Sequence, residues 1–159
     1  MTRRIADCPL ARAVEHIGEW PTMELLHEAF DGYTRFSDFQ AHLQAEADVL
    51  SGRLSRLVDS GLMTRRSGDE YVLTELGRSL RPVIIALAAW GNHQLQPRQR
   101  SMILVDAATG VEVEPVVVDR RTGRHVDTRD FVFTAGPAAS KAMRTRYAPG
   151  TTTAAATTG

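Results

Sequence analysis

The sequence predicts an α+β fold: a winged helix-turn-helix domain with a long dimerisation helix and a small β-rich C-terminal appendage. Three observations carry this. Short amphipathic helices lead into a two-strand hairpin, a long apolar helix follows the hairpin, and after Pro97 the pattern turns from helical to β-like. A chain of 159 residues accommodates one such domain and an appendage. The expected partition is 1–96 for DNA binding and dimerisation, 97–148 for the appendage, and 149–159 for a disordered, low-complexity tail.

Residues 9–17 read as a first helix, with Pro9 at a favourable first-turn position. Trp20 and Pro21 open a second, which Asp31 and Gly32 end. Phe36, Phe39 and Leu43 recur at helical spacing after Arg35. In residues 47–60, Leu50, Leu54, Leu57 and Val58 form one apolar stripe. Gly52, Ser55, Arg56 and Asp59 lie opposite, with Ser51 and Arg53 on the flanks, and Gly61 stops the helix. LMTRR and YVLT, joined through Ser67-Gly68-Asp69, form the hairpin. Thr74 caps a further helix whose stripe is Leu76, Leu80, Val83, Ile84, Leu87 and Gly91, with Trp90 beside it. Pro82 should kink that helix or split it, because it removes a donor and crowds the preceding turn. Beyond Pro97, MILVD, VEVEPVVVD and DFVFT predict a small antiparallel sheet, and residues 136–147 a short terminal helix.

The formal net charge is zero, so nucleic-acid binding has to be judged locally. From Arg53 to Arg66 there are four arginines, Arg53, Arg56, Arg65 and Arg66, against one acid, Asp59. A helix in the major groove reads base edges, and a basic hairpin holds phosphate or enters the minor groove. Arg56, on the outward face, suits a bidentate contact to guanine, and Arg53 suits phosphate. The expected DNA-binding set is Arg35, Ser51, Arg53, Ser55, Arg56, Arg65 and Arg66. Arginines that merely solvate a helix are the plainer alternative.

The runs CPLARAVEHIGEW, RFSDFQAHL, VLSGRLSRLVDSGLMTRR and YVLTELGRSLRPVIIALAAWG resemble the HxlR-type regulators, relatives of the MarR group. The resemblance covers about residues 8–92. It implies a dimeric winged-helix repressor, in some members one that senses electrophiles or oxidants through an N-terminal cysteine. Two departures stand out. Where the family carries an extra, often basic, residue before the tryptophan, this chain reads Gly18-Glu19-Trp20-Pro21. At the entry to the recognition helix it reads Ala45-Glu46-Ala47-Asp48, acids that suit the helix dipole but repel phosphate. A third concerns Asp106-Ala-Ala-Thr-Gly110 and Asp119-Arg-Arg-Thr-Gly123. These are either ordinary hairpin turns or metal-ribbon knuckles without their cysteines, which could hold no thiolate zinc site.

The single cysteine, Cys8, precedes the first helix. It is a possible redox sensor or a structural residue. His16, His27, His42, His93 and His125 lack metal-ligand spacing, and Glu112 and Glu114 mark a solvated strand face. Met23, Phe30, Phe36, Phe39, Trp20 and Trp90 are core or the lining of a ligand cavity. No phosphate loop or catalytic motif occurs, so no enzyme activity, cofactor or metal is expected. There is no apolar run long enough for a membrane span and no apolar signal core, which predicts a cytoplasmic protein. The expected partners are double-stranded DNA with a near-palindromic operator, a second copy of the chain, and a small-molecule or oxidant inducer. The rival reading is a protein–protein adaptor that kept the winged fold and lost DNA affinity.

Overall fold

The computed structural model describes residues 8–148. The elements are α1 (Pro9–Ile17), α2 (Trp20–Phe30), α3 (Phe36–Leu43), α4 (Ala47–Asp59), β1 (Met63–Arg65), β2 (Tyr71–Leu73), α5 (Glu75–Arg78), α6 (Arg81–Asn92) and α7 (Lys141–Arg146). A 3-10 turn spans Pro97–Gln99. The split between α5 and α6 falls just before Pro82, where the ring forbids an uninterrupted hydrogen-bond ladder. No helix of the described residues is long and apolar enough to cross a membrane.

The described residues form two compact units, His16–Val116 and residues 8–15 with residues 117–148. The first holds the winged domain and continues past Pro97. Asn92 donates to the Met102 carbonyl at 2.7 Å, and Arg100 pairs with Glu112 at 2.8 Å. Residues 97–116 group with this unit.

The core of this unit comes from the expected stripes. Leu50, Leu54 and Leu57 of α4 are buried against Leu25 and Leu26 of α2 and Phe39 of α3. Burying such a side chain stabilises by about 1.5–3 kcal/mol, so this leucine stripe fixes how α4 lies on α2 and α3. Met23, Phe30 and Phe36 pack against the same core. Trp20 and Trp90 stay outside, 71% and 78% exposed, so the aromatic and methionine set divides and does not line a single cavity.

β1 and β2 pair antiparallel, Met63 opposite Leu73 and Arg65 opposite Tyr71. The turn end of the hairpin is tied to the α2–α3 connection. Tyr71 N–H donates to the Thr34 carbonyl at 2.7 Å, Phe36 N–H to the Asp69 carbonyl at 3.1 Å, and Arg35 bridges Glu70. At the other end the Thr74 hydroxyl accepts from Gly77 N–H at 3.0 Å and donates to the Gly61 carbonyl at 2.6 Å. Gly77 is required there, because a Cβ would lie 2.1 Å from the Leu62 carbonyl oxygen.

The C-terminal sheet expected from the sequence does not form. Among the described residues, pairing after Pro97 is limited to the bridges Val105–Glu112 and Val118–His125, one beneath each Asp-x-x-Thr-Gly turn. Pro115 interrupts the middle run, and a proline cannot donate to a ladder. The DFVFT run is not a strand; Val132 and Phe133 are exposed. The terminal helix is shorter than expected, Lys141–Arg146, capped by the Ser140 hydroxyl. The expected disordered tail lies outside the described residues.

Candidate nucleic-acid interface

The site is assembled on α4. Its apolar stripe faces the core, so the opposite face is left to solvent by helical geometry. Ser55 and Arg56 are exposed on that side and Ser51 on its flank. Arg35 is exposed at the head of α3, and Arg65 and Arg66 are exposed on the wing. The structure thus keeps all of these groups accessible on the recognition helix, the helix before it and the hairpin.

Their electrostatic surroundings differ from the expectation. Glu19 occupies the N-cap position of α2, yet its side chain does not cap its own helix. Its carboxylate reaches α4 instead, accepting from Arg53 at 2.8 Å and from Arg56 at 3.0 Å. One acid therefore holds both arginines of the recognition helix. Arg53 is the more sequestered, 22% exposed against 70% for Arg56. Its Nε is buried and has no hydrogen-bond partner. Arg53 is therefore the anchored arm of this clasp and Arg56 the arm that can swing outward.

The wing is less restrained. Arg65 lies over the Tyr71 ring at 5.6 Å and stands 4.0 Å from Asp69, at the limit of ion pairing. Arg66 has no ion pair among the described residues, although its backbone N–H closes the hairpin by donating to the Glu70 carbonyl. The acids Glu46 and Asp48 stand exposed at the α4 N-terminus. They favour the helix dipole there and repel a phosphate approaching the same end.

The chain as a whole is similar to known proteins. The family model for the HxlR-like helix-turn-helix matches residues 16–99. This chain belongs to the HxlR-like helix-turn-helix family. The HTH-type transcriptional regulator Rv3095 of Mycobacterium tuberculosis is 33% identical over 144 residues, spanning 86% of this chain and 91% of that protein. PA1374 of Pseudomonas aeruginosa, described as a candidate transcription factor, is 35% identical with a TM-score of 0.66, covering 87% of this chain and 99% of that one. PA1607, described in the same way, is 32% identical with a TM-score of 0.73, covering 82% and 96%. As an HxlR-like regulator the chain presents the expected recognition helix and wing, with an acid clasp across two of its arginines.

Two functional groups escaped the sequence reading. One is the Glu19 clasp. Its signal was visible as an acid in Gly18-Glu19-Trp20, where the family tends to carry a base, but its reach to α4 depends on how α2 crosses that helix. The other is Gly77, a glycine at the start of a helix, which was a sign of close backbone approach. Cys8, half-buried, precedes α1, and Arg12 N–H donates to its carbonyl at 3.1 Å. Among the described residues no three His, Cys, Asp or Glu side chains gather as a metal site.

Proposed function

We propose that this DNA-binding transcription regulator acts as a homodimeric repressor in the cytoplasm, on a near-palindromic operator. α4 enters the major groove, where Arg56 reads a base and Ser51 and Ser55 stand beside it. Arg35, Arg53, Arg65 and Arg66 hold phosphate or the minor groove. The observation that carries the DNA-facing part is the outward face of α4. It keeps Arg56 exposed beside a wing that presents Arg65 and Arg66.

The dimer is supported by α6. This helix reads RPVIIALAAWGN, yet none of its residues is buried. Leu80 and Ile84 lean on the core of their own unit, while Val83, Leu87 and Trp90 stay exposed. On α1, Leu10 and Val14, one turn apart, are exposed as well. Apolar faces of this kind mark interaction surfaces, and a second copy across a two-fold axis covers the same stripe twice.

Sedimentation at micromolar concentration should give twice the chain mass, and Leu87→Glu should give a monomer. Selection from a random duplex pool should return two half-sites about 34 Å apart. Arg56→Ala should then cost about 1–3 kcal/mol on that operator and relax one base position per half-site. A protein that binds no duplex at low salt would instead be an adaptor.

A further inference from the structure

The structure contains an internal comparison between two turns of one design. In the first, Asp106 accepts from the backbone N–H of Ala108 at 2.8 Å and of Thr109 at 3.0 Å. Gly110 N–H returns to the Asp106 carbonyl at 2.8 Å, with Gly110 at φ +69°. The Thr109 hydroxyl accepts from Val111 N–H at 3.3 Å. The second turn repeats this plan. Asp119 accepts from Arg121 N–H at 3.3 Å and from the Thr122 hydroxyl. Gly123 N–H returns to the Asp119 carbonyl at 2.8 Å, with Gly123 at φ +68°. The Thr122 hydroxyl accepts from Arg124 N–H at 3.4 Å. A single bridge closes each turn.

The turn is therefore defined by its aspartate, threonine and glycine, and its two central side chains are unconstrained. The first turn fills them with Ala107 and Ala108, the second with Arg120 and Arg121. Folding does not explain the arginines, because the same turn forms without them. Both are exposed, and neither makes an ion pair among the described residues.

The acids nearby do not neutralise them by contact. The Asp119 carboxylate is committed to its own turn, and Asp130 is taken by Arg124, which also lies over the Phe131 ring at 4.9 Å. Charge is also divided unevenly along the chain. Residues 117–148 carry seven basic and three acidic side chains, while residues 8–116 carry ten basic and fifteen acidic. The winged region is net negative, and the region containing the second turn is net positive. A polyanion meets its favourable charge there.

We propose that the Arg120–Arg121 turn contacts the phosphate backbone of duplex DNA and adds sequence-independent affinity to that of the winged domain. The proposal rests on the DNA-binding reading of the chain. It accounts for how a regulator with no net charge, acids at its recognition-helix entry and two arginines clasped by Glu19 can still hold a polyanion. Arginine suits the role, since its planar guanidinium forks onto phosphate oxygens.

The test uses the full chain carrying Arg120→Ala with Arg121→Ala, a pair of side chains the first turn already tolerates. Fluorescence anisotropy follows binding to the selected operator and to a scrambled duplex from about 50 to 300 mM salt, with Arg56→Ala run in parallel. Losing two phosphate contacts should make the slope of log K against log salt shallower by about 1.8 per chain. Affinity should fall by the same factor on both duplexes, whereas Arg56→Ala should act mainly on the operator. An unchanged slope and affinity in the double variant, with Arg56→Ala still weakening operator binding, overturns this proposal alone. A loss confined to the operator also overturns it, because phosphate contacts do not read sequence. Reduced binding to phosphatidylserine vesicles with DNA affinity unchanged assigns the arginines to a lipid surface and overturns it too. If the wild type binds neither duplex at about 50 mM salt, the DNA-binding reading and this proposal fall together.

Discussion

Replacing Glu19 by glutamine should strengthen DNA binding while weakening the fold slightly. The carboxylate lies 2.8 Å from an Arg53 nitrogen and 3.0 Å from one of Arg56. Glu19 and Arg56 are well exposed, so screening by water reduces each contact to the range of surface pairs, about 0.2–1 kcal/mol. Together the two arms amount to about 1–1.5 kcal/mol, with the half-buried Arg53 arm the larger. On DNA the same carboxylate opposes binding in two ways: it competes with the ligand for Arg56, and its charge repels phosphate. Removing it should raise operator affinity by about 1–2 kcal/mol, roughly 5- to 30-fold. The gain should shrink as salt rises, because exposed charges are screened within about 10 Å at 0.1 M. Urea unfolding should meanwhile show a loss of about 0.5–1.5 kcal/mol, since Arg53 would keep a weaker partner. Glu19→Asp, which keeps the charge on a shorter arm, separates charge from geometry. Operator affinity that stays constant or falls in Glu19→Gln, measured by anisotropy at about 100 mM salt, would refute the clasp as a competitor of DNA.

Gly77→Ala should destabilise the winged unit by about 1–3 kcal/mol, because the new methyl group meets the Leu62 carbonyl and the wing must shift away from α5; an unchanged urea midpoint would show that the junction yields freely. Hydrogen bonds hold the turn carboxyls below the usual carboxylate range, chiefly from Thr109 N–H for Asp106 and from the Thr122 hydroxyl for Asp119. What they contribute to turn stability is therefore complete above the ordinary carboxylate pKa and lost as pH falls through the lowered values. Carboxyl NMR titration should place both below the ordinary aspartate value, and Thr122→Val should raise Asp119 selectively. Cys8→Ser should leave operator binding in reductant unchanged and abolish any release by quinone or peroxide. A response that survives the substitution gives Cys8 a structural role.

The sequence by itself determined the winged unit, because its signals are local. The 3.6-residue period of Leu50, Leu54 and Leu57, the glycine at 61, the turn chemistry of 67–69 and the Thr74 cap each act within a few residues. Those elements stand where the pattern placed them. The outward position of Arg56 was legible for the same reason, since a buried stripe on a helix fixes its opposite face. The β-like runs after Pro97 misled, because alternation makes a strand only when a neighbouring strand pairs with it, and here pairing ends one bridge from each turn. Only the tertiary structure decided what the arginines of α4 face. Glu19 lies 34 residues before Arg53 and 37 before Arg56, and α2 carries it to them. It likewise decided how the apolar stripe of α6 divides, with Leu80 at its N-cap and Ile84 turned to the core and Val83, Leu87 and Trp90 outward. A helical period names the apolar residues of a helix, but which of them its own fold covers depends on the crossing of elements distant in sequence.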